Sequence, residues 1–303
     1  MRLVSINRTG FAATAIVLTD DHGVHLALPV NSAQNITTST VPVSMADLLD
    51  DWLFWRDQLK TLVDAAPADA WRPLSEFEVL APVPQPRSVI CIGLNYRDHA
   101  TETGAAIPTE PVIFAKHRSS VVASGTPIRL PESSTEVDYE VELAVVIGQT
   151  VFQATPEQAL EAVAGYTIMN DVSARDWQGR TSQWMTAKSF PTFGPMGPEL
   201  VTAEELGNAR GLRIGLRLNG ESMQDSSTDE MIFGVAELIS RISQFWPIEP
   251  GDVIATGTPA GVGFTRTPPI FLGDGDVVEA YIEGIGVLSN LVEAARAFDG
   301  TRV

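Results

Sequence analysis

Residues 138–147 read Asp138-Tyr139-Glu140-Val141-Glu142-Leu143-Ala144-Val145-Val146-Ile147, and no other stretch limits the fold as much. Its second half is apolar without alternation, the pattern of a strand covered on both sides. Its first half alternates. Side chains two apart in a strand point to one face, so Asp138, Glu140 and Glu142 share a face with Tyr139, Val141 and Leu143 opposite. Three like charges at that spacing repel, and burying even one unpaired carboxylate is costly. Either the face is open to water or a cation sits among the carboxylates. An isolated Glu-x-Glu is more often solvated, but this one runs straight into the doubly covered run. A further carboxylate, Asp171, follows a strand expected at Tyr166–Met169 and opens the loop Val172–Gln178. A strand, a connecting helix and a strand can bring it beside the first pair. Three oxygen donors without Cys or His suit a hard ion, Mg²⁺ or Mn²⁺, over Zn²⁺. Such a site leaves coordination positions for water and substrate oxygens.

The chain has 303 residues, enough for a large core in one domain or in a main domain with a small appendage. Its formal charge is −18, from 38 acidic against 20 basic side chains. That balance argues against nucleic acid and anionic membrane surfaces, which require clustered Lys and Arg. Most of those carboxylates serve solubility. An anionic substrate would still need local positive charge against a repulsive background. The single Cys91 rules out an internal disulfide and a multi-Cys metal site, and its apolar neighbours predict a buried structural thiol. No stretch reaches the roughly 20 apolar residues of a membrane span, and no cleavage site of small residues follows Phe11–Leu18. The expectation is a soluble, cytoplasmic protein.

Residues 1 to about 75 alternate strand-like pieces (Ala13–Leu18, Val24–Pro29) with a helical segment that groups Leu48, Leu49, Trp52, Leu53 and Trp55. His22 and His25 have no partner at a recognisable spacing and read as surface residues. The alternate prolines of Ala81-Pro82-Val83-Pro84-Gln85-Pro86 cannot pair as a central strand. They mark an extended connector, so the chain divides into 1–78 and 79–303. Beyond it come short β-runs with few helices. Thr155-Pro156-Glu157-Gln158 predicts a capped helix that stops near Gly165. Ser227 with Glu230 predicts another, with Met231, Val235, Leu238 and Ile242 on its apolar face. A hairpin is expected at Val277–Ile282 and Val287–Val292. The fold class is mixed α+β with β dominant.

Several motifs together resemble the fumarylacetoacetate hydrolase family. They are Ile92-Gly93-Leu94-Asn95-Tyr96-Arg97-Asp98-His99-Ala100, Asp138–Ala144, Asn170-Asp171-Val172-Ser173-Ala174-Arg175-Asp176, Ala187-Lys188-Ser189-Phe190, Glu249-Pro250-Gly251-Asp252 and Thr256–Gly263. They occur in family order across roughly residues 85–295. The resemblance implies a β-rich sandwich or roll with a small N-terminal α/β domain, usually a homodimer. It implies Mg²⁺ or Mn²⁺ on Glu140, Glu142 and Asp171, and a small 2-oxo acid substrate. Pro191 departs from the Asp that commonly follows Lys-Ser-Phe, which bears on loop shape.

His99 and Glu102 have the spacing that faces both side chains one way on a helix. A carboxylate on one ring nitrogen would orient the imidazole and raise its basicity. The resemblance aligns them with the water-activating pair of hydrolytic members, where a surface His is the bland alternative. It makes Lys188 a donor to the developing enolate oxygen. Arg175 and Gln178 match positions that line the site, and Thr258 could meet a substrate carboxylate with its hydroxyl and nearby N–H groups. Lys116 and His117 would border the mouth. The expected reaction is hydrolytic C–C cleavage of an acylpyruvate-type 2,4-dioxo acid. A decarboxylase of oxaloacetate-like acids or a dienedioate isomerase is the nearest alternative. A non-catalytic metal-binding homologue is the alternative from another class.

Overall fold

The computed structural model describes residues 1–8, 11–19, 24–30 and 44–295. His22 lies outside them; His25 is exposed, its Nδ1 3.2 Å from the Thr19 hydroxyl.

The acidic and apolar run 138–147 sits at the centre. Strand Val141–Ile147 is buried along its whole length, between Val163–Asn170 and Val253–Ala255, both antiparallel to it. Beyond Val253–Ala255 the sheet continues through Val89–Gly93 to an edge at Val112–Lys116. In the other direction Val163–Asn170 pairs with Gly194–Thr202, which pairs with Arg2–Arg8 and so takes in Phe11–Thr19 and His25–Pro29. The strands of the first 78 residues thus extend the same sheet, twelve-stranded among the described residues.

The alternation of the central strand separates two cores. Val141, Leu143, Val145 and Ile147 pack with Leu216, Val278, Ala280 and Leu288 of a five-stranded sheet and with Leu238, Ile239 and Ile242. Ala144 and Val146 pack on the other side with Leu48, Leu49, Trp52 and Leu59. Covering both faces is what lets an unbroken apolar run be a strand, each fully buried Val, Leu or Ile contributing about 1.5–3 kcal/mol. Cys91 is a buried free thiol, and burial pushes its pKa up.

Four local expectations change. The strand expected at 137–147 breaks at Tyr139–Glu140, between Val137–Asp138 and Val141–Ile147, because the Glu140 backbone bonds to Asn170 and Asp171. The N-terminal helical segment divides at Asp51 into Met45–Asp50 and Trp52–Ala65, and Leu53 is 45% exposed rather than on the buried face. The Thr155 helix has its capping box but ends at Glu161, and Gly165 lies inside the next strand. A Cβ on Gly165 would come within 2.3 Å of the Val201 carbonyl oxygen, so close strand approach, not helix termination, explains the glycine. Gly165→Ala is expected to destabilise by about 1–3 kcal/mol, read in a denaturant midpoint. Ser227 ends the strand Glu221–Ser227, and its side chain caps only the 3₁₀ turn Thr228–Glu230. The α-helix begins later, Val235–Ile242, because Met231 is held in a β-bridge to Tyr96. The Val277–Ile282 and Gly286–Glu293 hairpin is present. Among the described residues no helix is long and apolar enough to cross a membrane.

Candidate active site

Pairing register brings the acidic residues together. Val141 sits opposite Asn170, so Asp171 falls beside Glu140, its N–H on the Glu140 carbonyl at 2.8 Å. Glu142 follows one strand period later. Carboxylate oxygens of Glu140, Glu142 and Asp171 all lie within 4.8 Å of one another, and all three residues are buried.

Cations compensate two of the three. Lys188 Nζ reaches Glu140 at 2.7 Å and Asp171 at 2.8 Å. Lys116 Nζ reaches Asp171 at 2.6 Å. Arg175 bridges Glu140 at 2.7 Å and Asp138 at 2.8 Å. Burial alone would raise the Glu140 pKa, but Lys188 and Arg175 outweigh it and hold the carboxyl at about 2. Glu142 receives one N–H bond, from Gly257 at 2.9 Å. Burial pushes its pKa well up, and Asp171 and Glu140 push it further. Lys188 shows the reverse: burial would lower it, yet the Asp171 and Glu140 carboxylates hold it above the ordinary lysine range.

This balance decides whether a dication fits. Asp138, Glu140 and Asp171 are offset by Lys116, Arg175 and Lys188, three charges against three. Glu142 has no such cation among the described residues, and burial with its two acidic neighbours favours its protonated form. Three buried carboxyl groups whose oxygens converge, one of them held only by the Gly257 N–H, are a donor set that fits a hard divalent ion, which would take the place of the Glu142 proton.

The second constellation comes from the helix Arg97–Thr103. His99 Nδ1 lies 2.9 Å from Glu102 Oε2, as the spacing predicts. Glu102 Oε1 accepts the Gly261 N–H at 2.9 Å and the Thr265 hydroxyl at 2.8 Å. Burial would raise the Glu102 pKa, but His99, Gly261 and Thr265 together lower it below the usual range, so it is ionised. His99, Arg175, Gln178, Lys188 and Thr258 all line one cavity of about 460 Å³ with Glu140 and Glu142.

Gln178 accepts from Arg175 Nη1 at 2.9 Å. Thr258 accepts from Gln224 Nε2 at 2.8 Å, which leaves the threonine proton free to donate. Two contributors sit elsewhere than the sequence suggested, and a third, Gln224, was missed. Lys116 is not at the mouth but buried against Asp171; only His117 is exposed. Its signal was its place at the end of a strand of mostly apolar residues. Asp138, read as one of three face-sharing acids, instead binds Arg175 and the N–H groups of Gly263 and Phe264. Gln224 joins the Val141 N–H to the Thr258 loop and had no sequence signal.

Lys116→Met leaves Asp171 short of one partner. Removing one side of a buried pair costs about 3–5 kcal/mol, so the variant's thermal midpoint should fall, with partial recovery in excess Mn²⁺. Calorimetric unfolding with and without the ion checks this.

A β-rich fold of two packed sheets with a buried carboxylate triad and a His–Glu pair in one cavity defines the class. Residues 88–293 match the sequence model of the fumarylacetoacetate (FAA) hydrolase C-terminal domain. The chain belongs to that family. It is 50% identical over 222 residues to a Bos taurus protein named oxaloacetate tautomerase FAHD2A, mitochondrial, covering 73% of this chain and 71% of that one. Among solved structures it resembles a fumarylacetoacetate hydrolase of Exiguobacterium antarcticum, with TM-score 0.80, 36% identity and coverage of 97% and 100%. It also resembles a 2-hydroxyhepta-2,4-diene-1,7-dioate isomerase of Mycobacterium marinum, with TM-score 0.75, 34% identity and coverage of 99% and 100%.

Proposed function

We propose that this enzyme moves a proton between carbon and oxygen of a 2-oxo acid, interconverting keto and enol forms, with a divalent ion, Mg²⁺ or Mn²⁺, on Glu140, Glu142 and Asp171. The observation that carries the reading is the buried convergence of Glu140, Glu142 and Asp171 oxygens beside a cavity that His99 also lines. Relatives named as a tautomerase and a dienedioate isomerase support proton transfer over the acylpyruvate hydrolysis expected from the sequence.

When bound, the ion would polarise the 2-oxo group and offset the charge of the acid. With Nδ1 on Glu102, His99 has Nε2 to take the C3 proton, while the electron pair of the C3–H bond becomes the C2–C3 double bond. Lys188 stabilises the charge that gathers on the 2-oxo oxygen, a preorganised electrostatic contribution. Return of that proton from His99 Nε2 to the oxygen gives the enol; the reverse sequence returns the ketone, with no co-reactant consumed. Thr258 donates its hydroxyl proton to the acid's carboxylate, and Arg175 and Gln178 hold that wall.

Hydrolysis is a second reading, favoured by the 2.9 Å His99–Glu102 contact, which would equally prepare a base for water. Following the enol absorbance and the C–C cleavage products of acylpyruvate, oxaloacetate and aryl-pyruvate substrates, with Mg²⁺, Mn²⁺ or chelator, separates the two. Metal-dependent loss of enol without cleavage supports the isomerase; cleavage products overturn it. A homodimer and a cytoplasmic site of action belong to this proposal and are open to sedimentation and cell fractionation.

A further inference from the structure

Resting on the reading of a 2-oxo acid site, we propose that the substrate's far end is uncharged and apolar, aromatic or branched. The surface that selects it is formed by Trp184, Leu94, Phe114 and Phe264.

The cavity, at about 460 Å³, is far larger than a pyruvate head group requires, and these four side chains line it together with the acidic residues. They support one another: Trp184 meets Phe114 edge-on at 5.3 Å between ring centres. The Phe114 ring lies 5.2 Å from Lys188 Nζ, and the Phe264 ring 4.4 Å from the Arg175 guanidinium. The apolar wall therefore begins where the charged floor ends.

Two unusual local features serve that wall. A Cβ on Gly93 would lie 2.5 Å from the Trp184 ring, so only glycine leaves room for the indole where it sits. Leu94, next in sequence, has φ 50, a left-handed conformation that residues with side chains rarely take. Asn or Gly fits such a backbone more easily; the leucine side chain at this position lines the cavity.

The electrostatics agree. Among the described residues lining the cavity the cations are Arg175 and Lys188, and both are already paired, with Asp138 and Glu140 and with Glu140 and Asp171. The developing enolate would draw on Lys188, and the head's carboxylate on Thr258. A second carboxylate at the far end would meet aromatic rings and no unpaired cation, in a chain of net charge −18. The substrate class thus differs from the dicarboxylic acid in the relatives' names.

Calorimetric titration of the Mn²⁺-loaded full chain with pyruvate, oxaloacetate and phenylpyruvate tests this. Phenylpyruvate should bind at least about tenfold tighter than pyruvate, as burial of a ring predicts, and oxaloacetate no tighter than pyruvate. Trp184→Ala should bring the phenylpyruvate-to-pyruvate preference close to unity. Leu94→Asn, which suits the left-handed backbone, should reduce it as well. Equal binding of pyruvate and phenylpyruvate, or preference for oxaloacetate, overturns the inference while leaving the head-group reading intact. Failure of all three acids to bind the loaded protein overturns both.

Discussion

Glu142→Gln should abolish useful uptake of Mn²⁺ and Mg²⁺, with affinity at least about 100-fold weaker by calorimetry, since even partners outside the ligand shell are worth 10–100-fold. Gln is nearly isosteric and can still accept the Gly257 N–H, so circular dichroism should show an intact fold. The sign of the pH dependence follows from the raised Glu142 pKa. In the free protein this carboxyl keeps its proton to higher pH than an ordinary glutamate, and the ion binds only the deprotonated form. Affinity in the native protein should therefore rise with pH through that raised pKa, with a proton released on binding. The variant should lose this release. Unchanged metal affinity in Glu142→Gln would remove the basis of the proposed function.

His99→Ala should lower turnover by about 10²–10⁴-fold, the usual worth of a positioned base, while metal affinity stays as in the native protein. The helix carrying it should persist, because Glu102 remains tied to Gly261 and Thr265. The combination of lost turnover and retained metal separates proton transfer from damage to the carboxylate cluster. Turnover close to native would assign the base to another group.

Glu140 and Glu142 were legible in the sequence through the two-residue strand period, which also placed Asp138 with them where the structure ties it to Arg175; Asp171 was legible as the carboxylate closing the neighbouring strand. The His99–Glu102 pair was legible through helical spacing. The cations were harder. Lys188 was visible only through the family resemblance. Lys116 reaches Asp171 across 55 positions of sequence, and such pairing depends on sheet order, which no local pattern encodes. The misplaced helix start shows the converse. Ser227 and Glu230 satisfy a capping rule, yet a tertiary bridge from Tyr96 to Met231 keeps the segment extended. Gly165 misled in a similar way: a helix-ending residue by propensity, it is a point of close strand contact by packing.

The segment Gly257–Thr265 gives its N–H groups at Gly257, Gly261, Gly263 and Phe264 to Glu142, Glu102 and Asp138. Amides do this work and the glycines leave no room for a Cβ at Gly261 or Gly263, so the segment is intolerant of side-chain gain there and of a gained or lost residue, which would shift every donor out of phase. A lineage adapting this scaffold to new acids has little freedom there. Its latitude lies on the opposite bank of the cavity, at Leu94 and between Gln178 and Trp184, where a new side chain changes what is admitted without moving a single ligand.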